Sequence, residues 1–389
     1  MDMPLRAKNT LLEVIESLEL QMFKKGVIVD NDPKYYCDKD MEDLKRYELF
    51  ENDILMSLTG NVGRVGILRK SMLPAALNQR VACLRIKNKA VDFKFLYYYL
   101  NSDQFENLCI ENSKGIAQKN LSTVFLKNVL IPLPALETQK KIVEVLDKAQ
   151  ELIDLRKKQI ELLDELIQSI FYDMFGDPVT NPKGWDVRKL KDISTKIING
   201  TTPKGGKQVY VEDGIVFLRS QNVWKNRLLL DDVAYIDNET HTKMAKSSLK
   251  YKDILMTKTG RINTENSSLG RAAMFLGEDD SANINGHVYL IRLQKNIIHE
   301  FVLFILTTNE YREYIRSVCV GGIDKRQINK EHLQNFPIIL PPIELQNQFA
   351  EMLQKIEEQK QLMQQSLIEM ENNFNCLVQR AFKGELFNE

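Results

Sequence analysis

From Ile142 to Met174 apolar residues recur in alternating steps of four and three: Ile142, Leu146, Ala149, Ile153, then Arg156, Ile160, Leu163, Ile167, Ile170 and Met174. A period of about 3.5 residues is a coiled-coil seam, narrower than the stripe of a helix lying on a globular core. The stretch opens at Ile131-Pro-Leu-Pro134, where prolines end a strand and start a helix, and then shows no Pro or Gly through Phe175. At about 1.5 Å per residue, roughly forty residues make a rod of about 60 Å. A seam that long needs a partner helix.

The partner lies 207 residues further on. Pro134, Glu137 and Gln139 recur without a gap as Pro341, Glu344 and Gln346. The seam recurs as Phe349, Leu353, Ile356, Lys360, Met363, Leu367, Met370, Phe374, Leu377 and Ala381. Each copy has one basic seam residue, at different steps (Arg156, Lys360). A seam repeated within one chain predicts an intramolecular antiparallel pair. Facing residues should have numbers adding to about 523, with Ile153 near Met370 and Leu163 near Lys360.

The repeat extends upstream. Phe95–Asn101 matches Phe301–Thr307, Asn78–Val81 matches Asn285–Val288, and Gly115–Asn128 matches Gly322–Asn335. Asp53–Gly60 (DILMSLTG) matches Asp253–Gly260 (DILMTKTG) at an offset of 200, the change being absorbed by an insertion around Asn263–Ser268. Short β-branched runs read as strands: Ile54–Ser57, Arg64–Leu68 and Val81–Ile86, then Ile215–Arg219, Arg271–Leu276 and Val288–Leu293. With one or two helices after each set, the globules are α+β. The chain therefore divides into a first globule (1–133), a long helix (134–178), a second globule (179–340), and a second long helix with its tail (341–389). Counting back 200 puts the counterpart of Trp185 before Met1, so the first globule is shortened at its start or built differently there. Leu18–Met22 aligns weakly with Leu218–Asn222 and reads as a strand, with a helix over Asn9–Phe23 as the alternative.

Composition narrows the class. No apolar run approaches the ~20 residues of a membrane span, and no secretory leader opens the chain. Five scattered cysteines without a C-x-x-C pair argue against a disulfide framework or a zinc site and fit a reducing cytoplasm. Lys+Arg and Asp+Glu are equal at 53 each, so any basic surface must come from local placement. No catalytic constellation emerges. Gly200–Lys207 lacks the Ser or Thr that a phosphate loop needs after its lysine. The four histidines lack metal-ligand spacing. Glu358-Gln-Lys360 has a nuclease-like spacing but falls on the coiled coil, where it reads as a solvated face.

Polar and basic residues instead cluster in matching loops. The first set is Thr59, Asn61, Arg64, Asn78, Gln79 and Arg80, with Lys114, Gln118, Lys119 and Asn120. The second is Thr259, Arg261, Asn263, Arg271, Asn285 and His287, with Asp324, Lys325, Arg326, Gln327 and Asn329, joined by Arg219, Gln221 and Asn222. Arg, Asn and Gln make bidentate contacts to guanine and adenine edges, and Lys reaches phosphates. The apolar frames of the two loops agree while the polar residues differ, as expected of two readers of different sequences on one scaffold. Three classes compete on the residues alone: a bipartite DNA reader, an enzyme with an unseen site, and a coiled-coil scaffold for protein partners. Missing constellations disfavour the enzyme, and the glycine-rich polar loops disfavour the scaffold.

Several linked features resemble the specificity subunit of type I restriction–modification systems. They are the repeated D-I-L-M…T-G segments, the segments beginning at Gly115 and Gly322, the I-P-L-P-x-x-E-x-Q entry into a long helix, and the ending Ala381–Leu386. The resemblance implies two target-recognition domains reading the halves of a bipartite site in double-stranded DNA. It also implies an antiparallel helix pair that spaces them and docks two methyltransferase subunits, with restriction subunits joining that core. S-adenosylmethionine, ATP and Mg would be used by those partners, with no cofactor or metal bound by this chain. On this reading the rod acts as a ruler. Deleting one heptad from each helix (Ile153–Gln159 and Lys360–Ser366) keeps the seam in register. It shortens the rod by about 10.5 Å, roughly three base pairs. Methylome sequencing should then show unchanged half-sites across a narrower gap, or no modification for want of helical phase; the original gap would refute the ruler.

Overall fold

A computed structural model describes residues 15–17, 23–24, 26–28, 34–36, 45–115, 119–261, 267–322 and 325–387. The chain forms two compact units, residues 161–361 and residues 1–160 with 362–389.

In the 161–361 unit, an antiparallel sheet runs in the order Ser194–Asn199, Val288–Leu293, Ile254–Thr257, Ala272–Met274. Side chains alternate across it as the pleat dictates. Ile254, Met256, Tyr289 and Ile291 enter one core with the helices His299–Thr307 and Asn309–Val318. Leu255, Ala273, Val288 and Leu290 enter a second core, against a sheet ordered Tyr210–Val211, Ala234–Ile236, Ile215–Leu218, Ala282–Ile284. The expected strands and helices are thus present, and their layering makes the unit α+β. The aspartate of the repeated D-I-L-M segment holds this core together. Asp253 is buried and accepts from the Arg292 guanidinium at 2.8 and 2.7 Å and from Lys250 N–H at 2.7 Å. Removing one partner leaves the other charge without compensation inside the protein. Asp253→Ala should therefore cost on the order of 3 kcal/mol, seen as a lowered urea midpoint.

The other unit repeats this plan, with a sheet ordered Val65–Ile67, Ile54–Ser57, Val81–Leu84. Asp53 pairs with Arg85 (Nε–Oδ1 2.7 Å, with a second contact at 2.5 Å). Burial works against ionisation of Asp53, but the Arg85 guanidinium and the Phe50 N–H outweigh it, so the carboxyl titrates below its usual value. Its stabilisation is present above the unfolded carboxylate pKa of about 3.9 and is lost as pH falls through the lower folded value. Asp53→Asn should flatten that acid limb in a stability–pH profile.

The repeat extends to the first described residues. Ile15–Ser17 is a strand whose Glu16 pairs with Ala75 in parallel and with Tyr35 antiparallel. Val216 pairs in the same way with Ala282 and Tyr235, at the same offsets of 207 and 200. Phe23–Lys24 is also extended, so no helix runs through to Phe23; Leu18–Met22 and Asn9–Val14 lie outside the described residues. No described strand of this unit corresponds to Asp186–Lys189 or Ser194–Asn199.

The long helices span Leu136–Phe175 and Ile343–Phe382. Every seam position is buried or half-buried, including Arg156 and Lys360. Within the first unit, Ile142 and Leu146 share a core with Val378, Ala381 and Phe382, and Lys157 pairs with Glu371 at 2.8 Å. Within the second, Ile167, Phe171 and Phe175 pack with Phe349, Leu353 and Ile356. There Lys360 reaches Asp164, the neighbour of Leu163, at 2.5 Å. In both units low numbers on one helix meet high numbers on the other, so the packing is antiparallel. The glutamine of the helix-entry motif is a clamp. Gln139 is fully buried and donates to Ala90 O and Pro134 O at 2.9 and 2.8 Å, while its Oε1 accepts from Asp92 N–H. Gln346 donates to Pro341 O in the same way, at 2.8 Å.

Candidate nucleic-acid interface

In the second unit the candidate loops form one structure. Thr259–Gly260 pairs antiparallel with Arg326–Gln327, which pairs with Val320–Gly321, giving a three-stranded ribbon. Lys258 ties it to the neighbouring turn: its N–H donates to His287 O (2.8 Å) and its carbonyl accepts from Ile328 N–H (2.9 Å). A Cβ on Gly260 would lie 2.3 Å from Leu269 N, so the close approach requires glycine. Thr259, Arg326, Gln327 and His287 are thereby brought together. Arg326 is half-buried, and its Nε has no hydrogen-bond partner among the described residues. Arg261 and Lys325 are exposed beside the ribbon, while Asn263 and Asp324 lie outside the described residues.

Arg271 sits at the base of the same loop. Its guanidinium stacks on Trp224, 3.8 Å from the ring centroid, and its Nε donates to Ser267 O at 3.0 Å. Desolvation and the nearby Arg312 hold Arg271 below the usual arginine value, and desolvation followed by Arg316 does the same to Arg312. Trp224 was not among the sequence candidates. Its signal was the run Trp224-Lys-Asn-Arg227, an aromatic with basic neighbours, which is the composition of a stacking platform.

Arg219, Gln221 and Asn222 serve the loop they stand on. Asn222 is buried, accepts from Arg219 N–H, and donates to Leu229 O and Asp232 O. Arg219 and Gln221 both donate to Asp232. Asn285 Oδ1 caps the His287 N–H, as Asn78 Oδ1 caps the Arg80 N–H, both at 3.0 Å. These two asparagines set matching turns.

The first unit builds the same junction from different residues. Thr59 bridges Asn120, Asn120 bridges Lys114, and Gly60 N–H donates to Lys119 O at 2.9 Å. Arg80 O accepts from Leu58 N–H, which brings the Asn78–Arg80 turn to the same edge. Ser57 Oγ donates to Asn61 O, closing the turn that presents exposed Asn61. Arg64, the counterpart of Arg271, lies 3.8 Å from Glu106. Gln79 and Arg80 are exposed, and Gln118 lies outside the described residues.

The family model for the type I restriction modification DNA specificity domain matches residues 13–165 and again 182–372. The chain belongs to the type I restriction–modification specificity subunits. Among its relatives, the MjaVIII specificity subunit of Methanocaldococcus jannaschii is 27% identical, across 79% of this chain and 72% of that protein. The EcoBI specificity subunit of Escherichia coli is 22% identical, across 93% and 79%. The fold is shared with a solved chain described under complex assembly and conformational transition of the type I R-M system. That match has a TM-score of 0.62 at 17% identity, over 96% of this chain and 92% of that one. As a specificity subunit, the protein determines which DNA its complex acts on. The two matched stretches are the two copies in which the ribbon-and-turn junction recurs.

Proposed function

We propose that each ribbon-and-turn junction reads one half of a bipartite DNA site, and that this chain performs no chemistry of its own. The observation that carries the reading is one backbone junction built twice with different polar residues, Lys119-Asn120 bonded to Thr59-Gly60 and Arg326-Gln327 bonded to Thr259-Gly260. Equal frames with unequal side chains suit two different half-sites, because frames position a reader and side chains specify the sequence. Methyl transfer belongs to two methyltransferase subunits using S-adenosylmethionine, and cleavage to restriction subunits using ATP and Mg. Cytoplasmic placement fits Cys83, Cys109, Cys319 and Cys376, all free thiols. Among the described residues no helix is long and apolar enough to cross a membrane.

Two measurements test this. The purified chain with S-adenosylmethionine and DNA should give no methyl transfer, and site-specific methylation should appear when methyltransferase subunits are added. Methylation by the chain alone would overturn the assignment. DNA binding by the assembled complex should fall steeply and linearly in log–log plots against salt; a flat response would remove the loops from a DNA interface.

A further inference from the structure

The glycine-rich stretch Gly200–Lys207 follows the strand Ser194–Asn199 and packs on the turn that carries His287. Gly200 N–H donates to Val288 O at 2.9 Å, and Asn199 Nδ2 donates to Gly200 O at 3.1 Å. A Cβ on Gly200 would lie 2.2 Å from Ile284 O and 2.4 Å from Asn285 O, so backbone rests directly on backbone there. From the turn's side of the same contact, a Cβ on Gly286 would meet Thr202 Oγ1 at 3.4 Å. His287 O accepts from Lys258 N–H, and Lys258 O accepts from Ile328 N–H, next to Arg326-Gln327. Loop, turn and ribbon are thus joined through main-chain contacts into one frame within the second unit.

Two lysines stand on the loop end of this frame. Lys204 and Lys207 are exposed, as are Thr201 and Thr202. Among the described residues neither lysine has an ion-pair partner, whereas Lys243, Lys252 and Arg316 of the same unit are paired with Glu239, Glu300 and Glu313. The chain carries no Asp or Glu from Ile193 to Val211, so no neighbour in sequence offsets the charge. Gly206 meets nothing within 4 Å where a Cβ would stand, which makes the loop an open surface and no enclosed nucleotide cradle.

We propose that Gly200–Lys207 is a phosphate-backbone contact for the duplex read by the second unit, with Lys204 and Lys207 gripping phosphates beside the half-site. The inference rests on the reading of the ribbon-and-turn junction as a DNA reader and adds a second element to it. Base contacts specify a sequence only when backbone contacts hold the reader in position. An ammonium on a flexible stem is a point charge suited to a phosphate and poorly suited to the fixed two-pronged pattern of a base edge. The shared frame fixes the distance from these charges to Arg326 and Gln327, so the loop sets where the ribbon sits on the duplex.

The test is DNA binding by the complex assembled with methyltransferase subunits, read by anisotropy on a target duplex and a scrambled duplex across a salt series. Lys204→Ala with Lys207→Ala should lower affinity for both duplexes by the same factor, about tenfold at low salt, and reduce the log–log salt slope by about two. Lys204→Arg with Lys207→Arg keeps the charge and should retain the parent slope. The motif found by methylome sequencing should be unchanged, and the melting temperature should stay at the parent value because neither lysine is paired within the fold. A parent complex with a flat salt response would overturn the DNA reading itself. A steep parent slope left unchanged by the double alanine variant would overturn the loop's role alone. A changed motif, or weakening confined to the target duplex, would make the loop a base reader and overturn the phosphate assignment.

Discussion

Replacing Leu152 and Leu155 together with aspartate should abolish methylation by the reconstituted complex while leaving the chain folded. Both leucines lie on the first long helix outside the seam and are 56% and 54% exposed. Leu162 and Leu166, further along the same helix, are each 47% exposed. Large aliphatic side chains left in water on a rod otherwise dressed with Lys, Glu and Asp suit a surface covered by the methyltransferase subunits of the proposed complex. Burying one leucine contributes about 1.5–3 kcal/mol. Losing two and placing carboxylates against an apolar partner face should lower methyltransferase affinity by more than a hundredfold. Gel filtration and methylation of a target duplex would measure the loss, and circular dichroism would verify the helices. Unchanged assembly would move the methyltransferase dock away from this helix face.

Arg326→Ala should cost on the order of 1–3 kcal/mol in specific binding and relax the recognised sequence at one position of the second half-site. The residue pairs with Gly260 on one side and Gly321 on the other, which fixes its backbone at the centre of the ribbon, while its Nε has no hydrogen-bond partner among the described residues. A guanidinium that instead grips a phosphate gives a different signature. Binding would then weaken on every sequence, and the salt slope would fall by about one. Arg271→Ala separates from Arg326→Ala because Arg271 is stacked on Trp224. Trp224→Leu should reproduce part of the Arg271→Ala defect by letting that guanidinium swing. Methylome sequencing of each variant with its partners would read sequence preference directly. If Arg326→Ala changes neither sequence preference nor salt slope, the ribbon is not in the site.

The seam, the repeat and the strands were legible in the sequence because each is a local pattern. A 3.5-residue period, a copy at fixed offset and a β-branched run need no partner to be recognised. The polar loops were legible as clusters for the same reason. Tertiary structure decided which members of a cluster are available. Asn222 carried the same composition signal as Gln327, yet it is buried and spends its amide on Leu229 and Asp232. The repeated Asp53 and Asp253 looked like part of a loop motif; their arginines lie 32 and 39 residues away, a distance no local pattern reports. Trp224 meets Arg271 across 47 positions, so the stack exists only once the sheet has closed. The strand Val81–Leu84 is of the same kind. Its residues read as an ordinary strand, and what distinguishes them from Val288–Leu293 is a neighbour present in one unit and missing from the described residues of the other. Periodicity specifies an element and the face it buries, whereas exposure and pairing belong to whatever chain lies alongside.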